Sequence, residues 1–142
     1  MTKHIRYLIF DCVSPVTLVS VVVYAQGAGN RTIQLRNSSN TVLQSLVANL
    51  ADGQNTVTLN FSLPVANGLI LGIGGTSNLW RNNAGAVYPY AVGSSVSITN
   101  SNSGTPGYYY YFYNWKVQEP GCISNRTAVQ AIVTPNPTSV IT

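Results

Sequence analysis

The side chains able to move a proton or hold a metal are few in this sequence. Its acids are Asp11, Asp52 and Glu119, and its one histidine is His4. Hydrolysis by paired carboxylates, two-metal phosphoryl transfer and histidine relays all need more titratable groups, closer together, than these. No D-x-D-x-D cluster is present to hold calcium, and Asp52-Gly53 reads as a turn. G-x-S-x-G is absent, so no serine sits on a nucleophile elbow. Gly72-Ile73-Gly74-Gly75 has neither a following helix nor a Lys, which excludes a phosphate loop. No catalytic residue, metal ligand or cofactor is assigned. The chemistry on offer is contact: hydrogen bonds from amides and hydroxyls, and stacking on aromatic rings.

Aromatic residues concentrate in Tyr108-Tyr109-Tyr110-Tyr111-Phe112-Tyr113-Asn114-Trp115. Side chains alternate across a strand. Read as one strand to Val117, this segment puts Tyr109, Tyr111, Tyr113, Trp115 and Val117 on one face, expected to meet the core. Tyr108, Tyr110, Phe112, Asn114 and Lys116 take the other, which turns polar and is expected to face solvent. An exposed aromatic row beside amides and a cation suits a sugar ring, whose C–H faces stack while its hydroxyls find hydrogen-bond partners. High strand propensity and cross-strand packing also account for such a row. A second concentration, Trp80-Arg81-Asn82-Asn83 with Tyr88-Pro89-Tyr90, lies in the longest stretch without regular alternation, the kind of loop on which binding residues collect. The candidate glycan-binding residues are thus Trp80, Arg81, Asn82, Tyr88, Tyr90, Tyr108 and Tyr110. The competing reading folds this loop over the open end of the fold, with Trp80 as a plug.

Seven cations against three acids give a net charge of +4, and charged residues make up 7% of the chain, against a usual ~25%. The cations are scattered, without the stripe that displaces counterions from nucleic acid, so no nucleic-acid partner is expected. A surface made polar by Asn, Ser, Thr, Gln and Tyr is expected outside the cell. Cys12 and Cys122 lie far apart and without metal-ligand spacing. They form either a disulfide or two buried thiols, and the bridge is favoured because the composition looks extracellular. Closing so long a loop contributes about 4–5 kcal/mol in the chain-entropy model. The apolar stretch to Ala25 behind Lys3 and Arg6 has the outline of a secretory signal. Asp11 and Pro15 interrupt it and it alternates like two strands, so an export signal is expected upstream and Met1-Thr2 marks a cut. No segment is apolar and long enough for a helical membrane span. The N-x-S/T sequons at Asn30, Asn37, Asn60 and Asn125 are what so much Asn, Ser and Thr produces by chance.

The elements that must position these residues are strands. No 3.6-residue period persists, while period-two segments rich in Val, Ile, Thr and Tyr recur between Gly/Asn/Ser clusters. Leu8, Phe10 and Cys12 point one way. Val16 to Ala25 is apolar on both faces and reads as a central strand covered on both sides. Ile33 and Leu35 point inward, with Thr32, Gln34 and Arg36 outward. Asn37-Ser38-Ser39-Asn40 reads as a hairpin loop. Val57, Leu59 and Phe61 form the inward face of the cleanest alternating strand. Leu69, Leu71 and Ile73, then Val96 to Thr99, the aromatic strand and Thr127 to Val133 complete the set. The sum is an all-β fold: an antiparallel β-sandwich, jelly-roll or Ig-like, of about nine or ten strands without significant helix. It occupies residues 1–134 as one domain, with a Pro-rich linker or tail at 135–142.

The C-terminal Gly121-Cys122-Ile123-Ser124-Asn125-Arg126-Thr127-Ala128-Val129-Gln130-Ala131-Ile132-Val133, followed by Pro135-Asn136-Pro137, resembles the last strand and exit linker of Ig-like modules in large secreted proteins of Bacteroidota-type bacteria. Val21-Val22-Val23-Tyr24-Ala25, Gly29-Asn30-Arg31-Thr32-Ile33-Gln34-Leu35 and Tyr110-Tyr111-Phe112-Tyr113-Asn114-Trp115 are similar to β-sandwich modules of the same surface proteins. The resemblance implies a non-catalytic module of an exported adhesin, filament or glycan-processing enzyme; no ligand residues carry over from it. The expected function is adhesion or carbohydrate binding at the cell surface or outside the cell, with neighbouring domains and glycans as partners. The alternative is a structural spacer or fibre subunit that associates through its own β edges.

Overall fold

The computed structural model describes residues 6–104 and 107–119. Eleven strands run through these residues: β1 (Tyr7–Cys12), β2 (Val16–Ala25), β3 (Gly29–Arg36), β4 (Val42–Leu50), β5 (Gly53–Leu63), β6 (Ala66–Gly74), β7 (Arg81–Asn82), β8 (Tyr90–Val92), β9 (Val96–Ser101), β10 (Tyr109–Tyr110) and β11 (Tyr113–Gln118). No helix occurs among the described residues, and hence none long and apolar enough to cross a membrane. The strand expected at Thr127 to Val133 and the tail at 135–142 lie outside the described residues. The larger number of strands comes from β7, β8 and β10, two or three residues each, which are too short to show a period.

All pairings are antiparallel. One sheet has the order β4-β3-β6-β1-β9-β8, a second the order β11-β2-β5, and β10 with β7 makes a two-stranded ribbon. Alternation explains the sandwich. Leu8, Phe10, Ile33, Leu35, Leu71, Ile73 and Ile98 project from the six-stranded sheet, and Leu18, Val21, Val23, Val57, Leu59, Phe61 and Leu63 from the three-stranded one. All of them are buried in one shared cluster. The expected inward faces of β1, β3, β5 and β6 are those observed.

β2 corrects the expectation of a strand covered on both sides. It is central in its sheet, but its pairing slips between Leu18 and Ser20 against β5 and around Lys116 against β11. Val16 and Leu18 face the core before the slip, and Val21, Val23 and Ala25 after it. A bulge inserts one residue and reverses the phase of the residues beyond it. Two half-strands in opposite phase read, in sequence, like one strand apolar on both faces. Val22 is the buried residue of the outer side, while Thr17, Val19, Ser20 and Tyr24 are half-exposed.

Local chemistry sets the turns. In the hairpin at Asn37-Ser38-Ser39-Asn40, Asn37 Oδ1 accepts the amides of Ser39 and Thr41, and Asn40 adopts a φ of 65°. Asn is among the few residues that tolerate this left-handed region. At the turn into β5, Asp52 accepts the Gly27 amide while Gly53 takes a φ of 94°. Cys12 is a buried free thiol that donates to the Ser14 carbonyl at 3.0 Å, and burial pushes its pKa up. The expected bridge from Cys12 to Cys122 therefore finds no support; Cys122 lies outside the described residues.

Two arginines carry much of the polar order. Arg31 follows the inward phase of Ile33 and Leu35 at the end of β3 and is 5% exposed. Its guanidinium donates to the carbonyls of Gly29 and Gly27 in the β2–β3 turn and of Ser77 and Asn78 across the molecule. Arg36 points to the outer side as expected, yet it is 6% exposed. It lies along the sheet and donates to Gln34 Oε1, Asn40 Oδ1 and the Ile73 carbonyl. Replacing Arg31 by Ala leaves several carbonyls unmet in a nearly dry place. We expect Arg31→Ala to lower unfolding free energy by about 2–4 kcal/mol, with Arg31→Lys in between, measured by urea denaturation. A loss below about 0.5 kcal/mol, typical of a surface substitution, would show that the guanidinium holds nothing.

Candidate functional site

Arg31 also fixes the route into the site. Ser77 and Asn78, held by its guanidinium, lead to Leu79, which bridges to Ala25, and to Trp80, whose amide donates to the Tyr24 carbonyl at 2.8 Å. The next two residues form β7, which pairs with β10 in the register Tyr109↔Asn82 and Tyr110↔Arg81. A stretch without a readable period thus holds a short, anchored strand.

The aromatic segment is not one strand. Tyr111 has a φ of 75°, and the Phe112 amide donates to the Tyr110 carbonyl at 2.9 Å. That is a γ-turn about Tyr111, the uncommon and strained form. It separates β10 from β11 and resets the alternation. Tyr110, Tyr111 and Phe112 are buried one after another, Phe112 completely. Tyr109, Tyr113 and Trp115 remain half-exposed, and Asn114 and Lys116 exposed. The expectation that Tyr110 and Phe112 face solvent is overturned, because a left-handed residue turns the chain where a strand would have carried the alternation on. From Tyr113 onward half-buried and exposed residues alternate again, but Tyr113 and Trp115, expected in the core, border the open cleft.

An open cleft of about 650 Å³ lies between the ribbon, β8 and the start of β11. Asn82, Tyr90, Tyr109, Tyr113, Asn114 and Trp115 line it, with small residues at 84–86 and 91–93 along its rim. No lining side chain carries a formal charge at neutral pH. The Phe112 carbonyl receives both the Tyr109 hydroxyl and the Trp115 indole N–H, the latter at 2.8 Å. Trp115 also meets Phe10 edge-on at 5.1 Å between centroids, so one ring joins the core to the cleft. The Tyr113 hydroxyl donates to Asn82 Oδ1 at 2.6 Å, across the cleft wall from β11 to β7.

The rings brace one another. Tyr109 lies 5.0 Å from Tyr113 and stacks on Tyr88 at 6.2 Å with 14° between planes, while Tyr90 meets both Tyr88 and Tyr109 edge-on. Such pairs contribute about 0.5–1.5 kcal/mol each beyond burial. The Tyr88 hydroxyl donates to the Tyr108 carbonyl at 2.6 Å, and Tyr90 Oη accepts the Val87 amide at 2.8 Å. Burial pushes the phenols of Tyr88, Tyr109 and Tyr113 above the usual tyrosine range. All three are therefore neutral hydrogen-bond donors at pH 7.

Of the seven residues singled out from sequence, Asn82 and Tyr90 line the cleft and Tyr88 stands behind it. Arg81, Tyr108 and Tyr110 are grouped away from it, the Arg81 guanidinium 4.8 Å above the Tyr108 ring and 6.0 Å from that of Tyr110. Tyr110, 4% exposed, offers no ring face to a ligand. Trp80 is 57% exposed and lies outside the cleft, so it does not plug the fold. Tyr109, Tyr113, Asn114 and Trp115 complete the cleft and were missed. Simple alternation sent three of them to the core, and the signal of a turn is weak in a run of tyrosines.

Set against known proteins, the chain matches no family model, no curated protein and no solved structure. Among the described residues, no three His, Cys, Asp or Glu side chains gather as a metal site.

The raised phenols have a pH signature. A tyrosine whose folded-state pKa exceeds that of the unfolded chain keeps its proton longer when folded. The stabilisation is complete below the ordinary value of 10 and is lost as pH rises toward the folded-state pKa. We expect stability to fall from about pH 10 upward, with tyrosinate absorbance at 295 nm and loss of the folded circular dichroism rising together. Full ionisation of all nine tyrosines with the fold intact would contradict the burial of these phenols.

Proposed function

We propose that this domain is a non-catalytic binding module whose cleft takes a neutral glycan. The observation that carries the reading is the lining: aromatic rings and amides face one open space that holds no charged side chain. Sugar rings present patches of C–H on their faces and hydroxyls at their edges. A ring resting on Tyr90 or Tyr113 buries the first, and the Asn82 NH2 and Asn114 side chain serve the second. A cleft of about 650 Å³ lies within the size range of small-molecule sites. A uronate or sulfated sugar would give up hydration there without gaining a countercharge.

The non-catalytic part of the reading rests on the same lining. Its only titratable side chains are phenols, two of them raised away from neutral pH, and these are poor general bases or nucleophiles at pH 7. An extracellular location, with glycans of a cell surface or matrix as partners, belongs to the reading and draws on the charge-poor, amide-rich composition.

Trp115 supplies the readout. In a Trp80→Phe background it is the sole remaining tryptophan, and its fluorescence should change as a neutral oligosaccharide is titrated. Tyr90→Ala and Asn82→Ala are each expected to weaken binding about tenfold, the effect of losing one stacking or hydrogen-bonding partner. Arg81→Ala, away from the cleft, should leave affinity unchanged. Silence across a broad panel of neutral glycans, or equal binding by the cleft variants, would remove the reading.

A further inference from the structure

Trp80 is the bulkiest exposed apolar side chain among the described residues, and the cleft does not use it. Its place is set by the backbone. Leu79 bridges to Ala25, the Trp80 amide donates to the Tyr24 carbonyl at 2.8 Å, and the Gln26 amide donates to the Asn78 carbonyl at 2.9 Å. Residues 78–80 are thus a short antiparallel extension beside the end of β2. Residues opposite one another across such a pair share a face, and neighbours along it alternate. Leu79 and Ala25 are buried toward the core, so Trp80 and Tyr24 stand together on the outer face of the three-stranded sheet. The Trp80 side chain takes part in no hydrogen bond or aromatic pair among the described residues.

The same face continues into the cleft. Tyr113 pairs with Val22, two residues before Tyr24 on β2 and so about 7 Å along it. Its ring meets that of Tyr24 edge-on at 5.5 Å, and it lines the cleft as well. Asn82, in the same phase as Trp80 and two residues on, accepts the Tyr113 hydroxyl. On the other flank of β2, the exposed Gln54 stands opposite Tyr24. Arg81 takes the opposite phase, over the Tyr108 ring, and Lys116 pairs with Ser20, four residues from Tyr24. Trp80, Tyr24 and Tyr113 therefore make one uncharged aromatic surface that runs out of the cleft.

We propose that Trp80 and Tyr24 form a second subsite for the cleft's ligand, so that the domain grips an extended run of a neutral glycan chain and not a single terminal sugar. The inference rests on the glycan reading of the cleft and adds the length of chain recognised. The ligand that lies on Tyr113 in the cleft meets, at the next ring, Tyr24, and beside it Trp80. An exposed indole offers a flat face to sugar C–H groups and an N–H to a hydroxyl, and the Gln54 amide borders the same surface. Arg31, through the carbonyls of Ser77 and Asn78, holds the segment that carries Trp80. The platform is therefore anchored to the same frame as the cleft wall.

Calorimetric titration with short and long members of each series in a broad neutral panel tests it, cellobiose and cellohexaose, mannobiose and mannohexaose, and maltose and maltohexaose among them. In any series that binds, the hexasaccharide is expected to bind at least about tenfold tighter than the disaccharide. Trp80→Ala, folded by circular dichroism, should weaken the hexasaccharide about tenfold and leave the disaccharide unchanged. Tyr24→Ala should act in the same direction, and Arg81→Ala, on the other face, should alter neither. Equal affinity for short and long members in the parent protein overturns the proposal. So does a Trp80→Ala variant that weakens neither, or one that weakens both in equal proportion, which would make Trp80 a support of the Asn82 wall. Each of these leaves the cleft reading standing. Silence in every series removes the cleft reading and the second subsite with it.

Discussion

With its φ held at 75°, Tyr111 turns the chain through a γ-turn inside what reads as an unbroken aromatic strand. A tyrosine in this region is strained, and it persists only where its surroundings over-determine it. Here they do. Phe112 is driven fully into the core, and Tyr111 itself is buried with its hydroxyl near Ser77 Oγ. The Phe112 carbonyl, turned the other way, gathers the Tyr109 hydroxyl and the Trp115 indole. Burial of one ring thereby presents three others, Tyr109, Tyr113 and Trp115, to one open space. The cleft is a consequence of how the sandwich fills its end.

A chain with three acids cannot neutralise seven cations by pairing them. β3 meets this constraint by burying Arg31 and Arg36 against carbonyl and amide oxygens. The guanidinium is suited to this because its donors fan out in a plane and its charge is weakly hydrated. Arg31 ties the β2–β3 turn to the segment at 77–78, and through that segment it sets where β7 begins. Asn82 on the cleft wall thus follows, four residues on, from a segment that Arg31 holds.

The two exposed features of the molecule have different origins. The cleft combines rings and amides that brace one another through stacking, edge contacts and the Tyr113–Asn82 hydrogen bond. The β4 edge is long and uncharged, whereas β8 is short, β5 is interrupted at Asn60 and β11 carries Lys116. Both arise from one composition. Amides, hydroxyls and apolar side chains stand where charge is scarce, in the cleft lining and along β4 alike.

Much of the fold was legible because alternation is a local property. Leu8-Phe10-Cys12, Ile33-Leu35 and Val57-Leu59-Phe61 declare their inward faces, and Asp52-Gly53 and Asn37 to Asn40 declare their turns, by chemistry acting within a few residues. That information determined an all-β chain, its core faces and a surface poor in titratable side chains. It failed where a single backbone angle changes phase. The bulge in β2 made two half-faces look like two whole ones, and the γ-turn at Tyr111 exchanged Tyr110 for Tyr109 at the surface. Nothing in a run of tyrosines announces which one turns left-handed, because the strain is met by packing between residues far apart in the chain. The tertiary structure alone decided which aromatics reach the cleft, since that depends on Phe112 filling the core and on Arg31 holding the segment opposite.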